Sequence, residues 1–292
     1  MIKTNSFTPN ENIDLTKEIS LVHPLDTPLM TYLMGKGQYE DGLSNVVTWR
    51  EKTLDTTSDI SFAEGSETDA FQSTQRAEKS NVMEIFKKAV SVSGTAQASK
   101  IVGINDLLAE EVNDRMVEMK VQVEKALING VRNDGSTSPF IRKMQGLLGF
   151  AHADNIIKAD SFLPEFQNAV RKLWENGLGA NEYICMVNAD MKEEIDNFYK
   201  DNYMYNAPMS EFGIVVHRIN TNYGVVNVML NRHMPTDKAV IFDPKFVRLS
   251  FLRKPFFESL AKTGDSVKAQ VITETTIKVL NEKAVAVLDI SK

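Results

Sequence analysis

The sequence predicts an α+β protein with two layered subdomains, and three features of the 292-residue chain support this. One long amphipathic helix is predicted from about Asn105 to Asn129. Segments typical of β-strands stand on both sides of this helix. A mixed helix and strand region interrupts them between residues 151 and 231. Because strands return after this insert, we expect the chain to cross between the two subdomains more than once.

The composition is that of a folded protein and argues against several classes of function. Hydrophobic residues make up 42% of the chain and charged residues 25%, as in ordinary globular proteins. The net charge of −6, without a cluster of Lys and Arg, argues against a nucleic-acid-binding surface. Cys185 has no second cysteine to pair with, which favours a reducing compartment. No apolar run reaches the ~18 residues of a membrane span and the N-terminus lacks an apolar signal core, so we expect a cytoplasmic product.

The first 37 residues are predicted to form an irregular terminal segment. Pro24 and Pro28 exclude one continuous helix here. The apolar residues around them, which include Leu25, Leu29 and Tyr32, are too many for a free tail. Two interpretations remain open: the segment packs on its own domain, or it is an arm that docks on a neighbouring subunit.

A two-stranded arm with an extended tip is predicted between residues 43 and 98. Segments 43–54 and 81–98 resemble strands, and in the second Val90 and Val92 alternate with serines at the strand period. The polar, acidic segment between them is much longer than a usual hairpin loop. An isolated hairpin is only marginally stable in water, so we expect this arm to rest on something outside its own domain.

Apolar residues recur along the predicted long helix at steps of three and four. They are Leu108, Val112, Met116, Met119, Val123 and Leu127. This spacing places them on one face, and the charged residues, Glu124 among them, are assigned to the solvated remainder. Asn129-Gly130 is a typical helix end.

An α/β insert and a β-rich end complete the chain. Helices are predicted over residues 161–175 and 189–200, with a buried strand at 183–187 and two more strands at 214–219 and 225–230. Between residues 239 and 288, several β-prone runs are separated by turn signals. These are Asp243-Pro244, Lys254-Pro255, Gly264-Asp265 and Asn281-Glu282.

No catalytic, cofactor or metal site is predicted. Cys185 could serve as the nucleophile of a thiol hydrolase with one of the four histidines. It lies, however, in an apolar strand rather than in the exposed, electropositive setting that a thiolate requires. The histidines lack the spacing of metal ligands, the acidic loop lacks the pattern of a calcium site, and no glycine-rich phosphate motif precedes a helix.

Six segments carry a resemblance to a known family. They are 24–35 (PLDTPLMTYLMG), 92–98 (VSGTAQA), 124–132 (EKALINGVR), 144–150 (MQGLLGF), 239–255 (AVIFDPKFVRLSFLRKP) and 260–288 (LAKTGDSVKAQVITETTIKVLNEKAVAVL). Taken together and in this order, they resemble the major capsid proteins of tailed bacteriophages with the Hong Kong-type capsid fold. The resemblance spans nearly the whole chain.

This resemblance implies a division into four parts. They are an N-terminal arm at 1–37, an extended loop (E-loop) at 38–99, a peripheral domain at 100–150 and 232–292 with a spine helix at 105–129, and an axial domain at 151–231. In this fold the E-loop lies over an adjacent subunit, and the axial domain gathers around five- and six-fold axes. The C-terminal strands are expected to rejoin the peripheral sheet and to cover the apolar face of the spine helix.

The implied function is structural and not enzymatic. Many copies are expected to self-assemble, as pentamers and hexamers, into an icosahedral head that encloses double-stranded phage DNA without sequence-specific binding. Other expected partners are a scaffolding protein, a portal and optionally a decoration protein, with no membrane and no cofactor. The expected location is the virion, after synthesis in the cytoplasm of a bacterial host. The alternatives are an encapsulin-like nanocompartment shell, a tail or connector component, and the thiol hydrolase using Cys185.

Contacts between subunits are predicted in the E-loop and in the arm. In the E-loop, the predicted contact residues are Trp49, Arg50, Glu51, Glu64, Phe71 and Arg76. In the N-terminal arm, they are Leu25, Leu29 and Tyr32. No single residue is assigned to a covalent cross-link.

Overall fold

The computed structural model describes residues 26–68, 71–99, 106–159, 162–179, 182–199, 209–211, 214–262 and 264–290. The helices are α1 (Pro28–Gly35), α2 (Gly94–Ala98), α3 (Leu107–Asn129), α4 (Phe162–Glu175) and α5 (Ala189–Tyr199). The strands are β1 (Tyr39–Asp41), β2 (Val46–Thr53), β3 (Gln75–Val82), β4 (Glu84–Ser93), β5 (Ile156–Lys158), β6 (Glu182–Val187), β7 (Met209–Glu211), β8 (Ile214–Thr221), β9 (Gly224–Leu230), β10 (Lys238–Phe242), β11 (Val247–Leu260), β12 (Ser266–Val279) and β13 (Val285–Asp289). Leu25 and Asn105 lie outside the described residues.

The strands form three sheets. One has four strands in the order β1-β11-β12-β4, one has seven in the order β5-β13-β10-β6-β9-β8-β7, and β2 pairs with β3 alone. Both large sheets contribute to the largest core cluster, and the β2–β3 ribbon is a two-stranded sheet of its own. None of the helices in the described part of the chain is long and apolar enough to span a membrane.

Helix α3 packs on the four-stranded sheet through the face that the apolar spacing predicts. Val112 and Met119 contact Ala269 and Val271 of β12 in one buried cluster. Farther along, Val123 and the end of the helix enter the largest core cluster. The helix begins one residue after Asp106, whose carboxylate accepts the backbone N–H groups of the first turn, so a side-chain cap fixes its start.

Helix α1 decides between the two interpretations of the N-terminal segment, at least from residue 26 onward. Pro28 is its first residue, a position where proline fits because the missing N–H would be unpaired anyway. Leu29, Tyr32 and Leu33 are fully buried in the core that α3 and both large sheets share. Residues 28–35 therefore pack on their own subunit.

Glu124 is fully buried, so the prediction that it lies on the solvated face of the helix is wrong. Its carboxylate accepts the backbone N–H groups of Leu29 at 2.8 Å and Met30 at 2.9 Å, and the side-chain amide of Asn231 at 2.8 Å. Thr27 makes no side-chain cap at the start of α1, so Glu124 satisfies donors that a cap residue would otherwise bind. Burial raises the pKa of Glu124, and these three hydrogen bonds oppose that shift only in part.

Replacing Glu124 by alanine should lower the free energy of unfolding by about 3 kcal/mol or more, because three buried donors lose their acceptor. The free energy of unfolding of Glu124→Gln should lie between those of wild type and Glu124→Ala, since glutamine keeps one carbonyl oxygen. Urea unfolding followed by circular dichroism measures the loss. Lys125→Ala, at the exposed neighbouring position of α3, is the matched control. Equal stability of the two alanine variants would contradict this role of Glu124.

The arm differs from the predicted hairpin in its second strand. Residues 81–98 are predicted as one strand, but the structure divides them among the end of β3, β4 and the short helix α2. The partner of β2 is β3, in the register Trp49↔Lys79, whereas β4 pairs with β12 in the four-stranded sheet. The chain passes from arm to sheet at Met83, which is fully buried and whose N–H donates to the Asn45 carbonyl at 2.8 Å.

The C-terminal strands also differ from the expectation, because only part of them joins the four-stranded sheet. β11 and β12 do so, whereas β10 and β13 pair with each other and with β6 and β5 in the seven-stranded sheet. The crossings occur at 3-10 turns, where Asp243 and Asn281 accept backbone N–H groups two residues ahead. Two of the turn signals in the sequence are therefore the points where the chain changes sheets.

The elements of the insert agree with the prediction. Helix α4 ends at Glu175, α5 covers 189–199, and β6, β8 and β9 occupy the expected segments. β6 is parallel to β9 and antiparallel to β10, so it is an interior strand. Its continuous apolar run is what an interior strand covered on both faces requires.

Candidate subunit interface

The described residues that are predicted for subunit contacts fall into three groups. Leu29, Tyr32 and Trp49 are buried within their own subunit, Glu51 is partly buried, and Arg50, Glu64, Phe71 and Arg76 are exposed. The buried group is occupied in holding the subunit together. The exposed group lies on the β2–β3 ribbon and its tip, and this part of the chain stays a candidate for contacts with another subunit.

The outer part of the arm exposes large apolar side chains. Described residues 52–68 and 71–76 are all exposed. Leu54, Ile60, Phe62 and Phe71 stand out, with Phe71 89% accessible to solvent. A group of exposed apolar side chains on an extended loop is typical of an interaction surface, because leaving it in water is unfavourable.

Acidic side chains accompany these apolar residues and order the loop locally. Asp55, Asp59, Glu64 and Glu67 are exposed, and no Lys or Arg lies between residues 53 and 75. The side chain and backbone N–H of Ser58, together with those of Thr57, donate to the Asp55 carboxylate and lower its pKa to about 2. Asp55 is therefore ionised at any pH near neutral. The loop presents an acidic, partly apolar surface.

Asn81 joins the inner end of the β2–β3 arm to the body of the subunit, which is the part formed by the two large sheets and the helices. Its amide nitrogen donates to the carbonyl oxygens of Gln145 at 3.0 Å and Ile277 at 2.8 Å. Its amide oxygen accepts the backbone N–H groups of Gln145 and Val82, both at 2.9 Å. The side chain is fully buried, and because both ends of the amide are paired, its desolvation is offset.

Two further contacts hold the arm just outside Asn81. The Arg132 guanidinium donates to the carbonyl and hydroxyl oxygens of Ser80 at 2.9 and 3.1 Å. The rings of Trp49 and Phe150 are tilted by 48° to each other with centroids 6.0 Å apart, a distance within the range of favourable aromatic pairs. Both contacts join the arm to the chain that follows α3.

Glu282 marks the outer end of this attachment. Its carboxylate lies 2.5 Å from the Lys79 ammonium, and its backbone N–H donates to the Glu51 carboxylate at 3.2 Å. Burial raises the pKa of Glu51, the hydrogen bond from Glu282 opposes this, and the Glu282 charge adds to it. His152 Nε2 lies 3.7 Å from the Glu282 carboxylate on the other side.

A second exposed apolar group, which the sequence analysis missed, lies on the loop after α3. It comprises Val131, Phe140 and Ile141. Phe140 has a φ of 57°, a left-handed conformation that costs free energy in a residue other than glycine. Large apolar residues inside an otherwise Gly- and Ser-rich turn segment are the sequence signal that could have indicated this group.

No observation supports a catalytic or metal site in the described part of the chain. Cys185 is fully buried, and this burial raises the pKa of its thiol, which disfavours the thiolate that a nucleophile needs. Among the residues described, no three His, Cys, Asp or Glu side chains lie close enough together to hold a metal ion.

Solved structures of viral capsids and related shells share this fold over nearly the whole chain. The capsid of cyanophage A-1(L) aligns with a TM-score of 0.69 at 8% identity, covering 99% of this chain and 100% of that chain. The capsid of Myoviridae phage XM1 aligns with a TM-score of 0.64 at 8% identity, covering 98% and 99%. The holo-SrpI encapsulin of Synechococcus elongatus PCC 7942 aligns with a TM-score of 0.67 at 13% identity, covering 97% and 94%.

The structural similarity confirms the predicted phage capsid fold, which encapsulins share. No curated protein sequence matches the chain. The family described as SU10 major capsid protein matches residues 2–291. The chain therefore belongs to the SU10 major capsid protein family, and its role is that of a structural protein of a viral capsid.

Proposed function

We propose that many copies of this chain form a closed icosahedral head, built from pentamers and hexamers, around double-stranded phage DNA. The observation that carries this proposal is the arm, which exposes the large apolar side chains Ile60, Phe62 and Phe71 to solvent. Exposed apolar side chains grouped on one loop are typical of a surface that another molecule covers. A second copy is the natural cover, because contacts between two different patches of one chain can close rings and tile a shell.

The four parts of the chain receive roles within this proposal. Residues 1–37 act as the N-terminal arm, and residues 38–99 form the E-loop region, whose β2–β3 ribbon lies over an adjacent subunit. The α3 layer forms the peripheral domain. The seven-stranded sheet with α4 and α5 acts as the axial domain around the five- and six-fold axes. A scaffolding protein, a portal and optionally a decoration protein complete the head, which assembles in the cytoplasm of a bacterial host.

Negative-stain imaging of the purified chain tests the proposal directly. Closed icosahedral particles or curved sheets are the expected result, and a protein that stays monomeric at every concentration, with and without a co-expressed scaffold, would contradict it. The similarity to the holo-SrpI encapsulin favours an encapsulin-like shell as the second candidate. Particles that enclose DNA support the phage head, whereas particles that enclose a host protein support the encapsulin-like shell.

Two aromatic residues of the arm should respond differently to replacement by alanine. Trp49→Ala should lower the melting temperature, because the indole packs on Phe150 within the subunit. Phe71→Ala should leave the melting temperature unchanged, because the ring is exposed, and should still reduce the yield of shells. Calorimetry and particle counting measure the two effects, with Gln72→Ala as the control for Phe71. Normal shell yield from Phe71→Ala would remove this residue from the interface.

A further inference from the structure

Polar contacts to the body end abruptly along the arm. On β3, Asn81, Ser80 and Lys79 each bind a different part of the body. On β2, Glu51 is the last residue to do so. Farther out, from Lys52 to Glu78, the described residues make no hydrogen bond or ion pair with the body among the contacts observed, and all of them are exposed. The arm thus has two parts. The root, which comprises Glu51 and residues 79–81, is bound to the body, and the outer part, residues 52–78, is not.

The root is fastened on more than one side, which fixes direction as well as position. Asn81 binds β12 and the segment before the 3-10 turn at residues 147–150. Arg132 approaches from the loop after α3, and Glu282 approaches from the turn between β12 and β13. A two-stranded ribbon held at one point could swing, but a ribbon held from three directions has one preferred angle.

We propose that Lys79, Glu282 and Arg132 are positioning residues that set the direction of the E-loop within the isolated subunit, before any neighbour is met. This inference rests on the proposed function for its purpose, since a pre-set loop matters only if it docks on another copy. A binding segment that is already ordered pays less conformational entropy on association. Weakening the root should therefore slow shell formation even though the contacting tip is unchanged.

Lys79 is the best residue for the test, because its side chain is partly exposed and its removal leaves no buried group unpaired. The full-length, unassembled chain carries spin labels at Ser66→Cys on the loop and Gln122→Cys on α3, and the native Cys185 is fully buried and so protected. Pulsed electron paramagnetic resonance gives the distribution of distances between the labels. The expected result is one narrow distribution, broadened at least twofold by Lys79→Met.

Controls separate a positioning role from a general loss of structure. Lys52→Met removes the same charge from the free part of the arm and should leave the distribution narrow. Lys79→Arg keeps the ion pair and should restore it. Arg132→Met should broaden it independently through the loss of the Ser80 contacts. Unchanged distributions in both Lys79→Met and Arg132→Met would overturn the inference.

The two proposals can fail separately. The label distances are measured on single subunits and do not depend on shells, whereas imaging of unlabelled protein reports assembly. A narrow distribution of label distances that Lys79→Met broadens, together with a complete lack of shells, would support the positioning role of the root and overturn the proposed function. Normal shells, together with a broad distribution of label distances in the otherwise unchanged chain, would overturn the positioning role of the root and support the proposed function. In unlabelled protein, Lys79→Met should form shells several-fold more slowly than the wild-type chain does.

Discussion

Met119→Asp should abolish soluble protein. The side chain is 2% exposed and lies between α3 and β12, against Val112, Ala269 and Val271. Removing a buried methionine costs about 2–5 kcal/mol, and an unpaired buried carboxylate adds several kcal/mol. The sum is comparable to the whole stability of a typical domain, ~5–15 kcal/mol. The fraction of expressed chain that stays in the supernatant measures the effect.

Two variants on the same helix complete this test. Asn113→Asp introduces the same residue at an exposed position of α3 and should stay soluble. Met119→Leu conserves volume and polarity and should change the free energy of unfolding by less than about 1.5 kcal/mol. A soluble Met119→Asp with a wild-type melting temperature would show that α3 is not held by this face.

The apolar face of α3 could be predicted because the information is local. Steps of three and four along one segment identify the face, and Met119, Val123 and Leu127 are buried as the spacing requires. Glu124 could not be predicted in this way. Its donors are the first turn of α1 and Asn231, which lie 95 and 107 residues away along the chain. Only the folded arrangement shows that this charged residue faces inward.

The arm and the sheets show the same limit. β3 carries no alternation of apolar and polar residues, because a free ribbon has solvent on both faces, so the pattern typical of a half-buried strand is absent. The segments 239–242 and 284–288 can be recognised as strands by their composition. Their membership of the seven-stranded sheet depends on the turns at Asp243 and Asn281, and a turn signal does not state which sheet the next strand joins.

The exposure of the loop could be predicted, but which of the predicted contact residues are buried could not. A long acidic loop between strands indicates a surface function, and Glu64 and Phe71 on that loop are exposed. The apolar character that predicts a subunit contact for Leu29 and Tyr32 is the same character that places them in the core. An apolar residue near a terminus has the same sequence signal whether its own subunit or a neighbour covers it, so burial has to be seen in the structure.

Removing the outer part of the arm should separate folding from assembly. Replacing residues 54–74 by Asn-Gly joins Thr53 directly to Gln75, which already face each other in the ribbon register, by a turn that suits a two-residue hairpin. The root contacts remain intact. Because the deleted loop is exposed and its closure costs chain entropy, the free energy of unfolding should stay within about 0.5 kcal/mol of wild type or rise slightly. Shells should be absent.

A length-matched variant identifies which property of the loop is needed. Changing Leu54, Ile60, Phe62 and Phe71 to serine keeps the loop and removes its apolar side chains, whereas Glu64→Gln with Glu67→Gln keeps those side chains and removes two charges. If burial of apolar surface drives docking, the serine variant should fail to form shells and the glutamine variant should form them with less dependence on salt. Shells from the Asn-Gly variant at wild-type yield would mean that α3 and the body carry both stability and assembly. Failure of that variant to fold would contradict the separation in the other direction, because the outer arm would then contribute to the stability of the subunit.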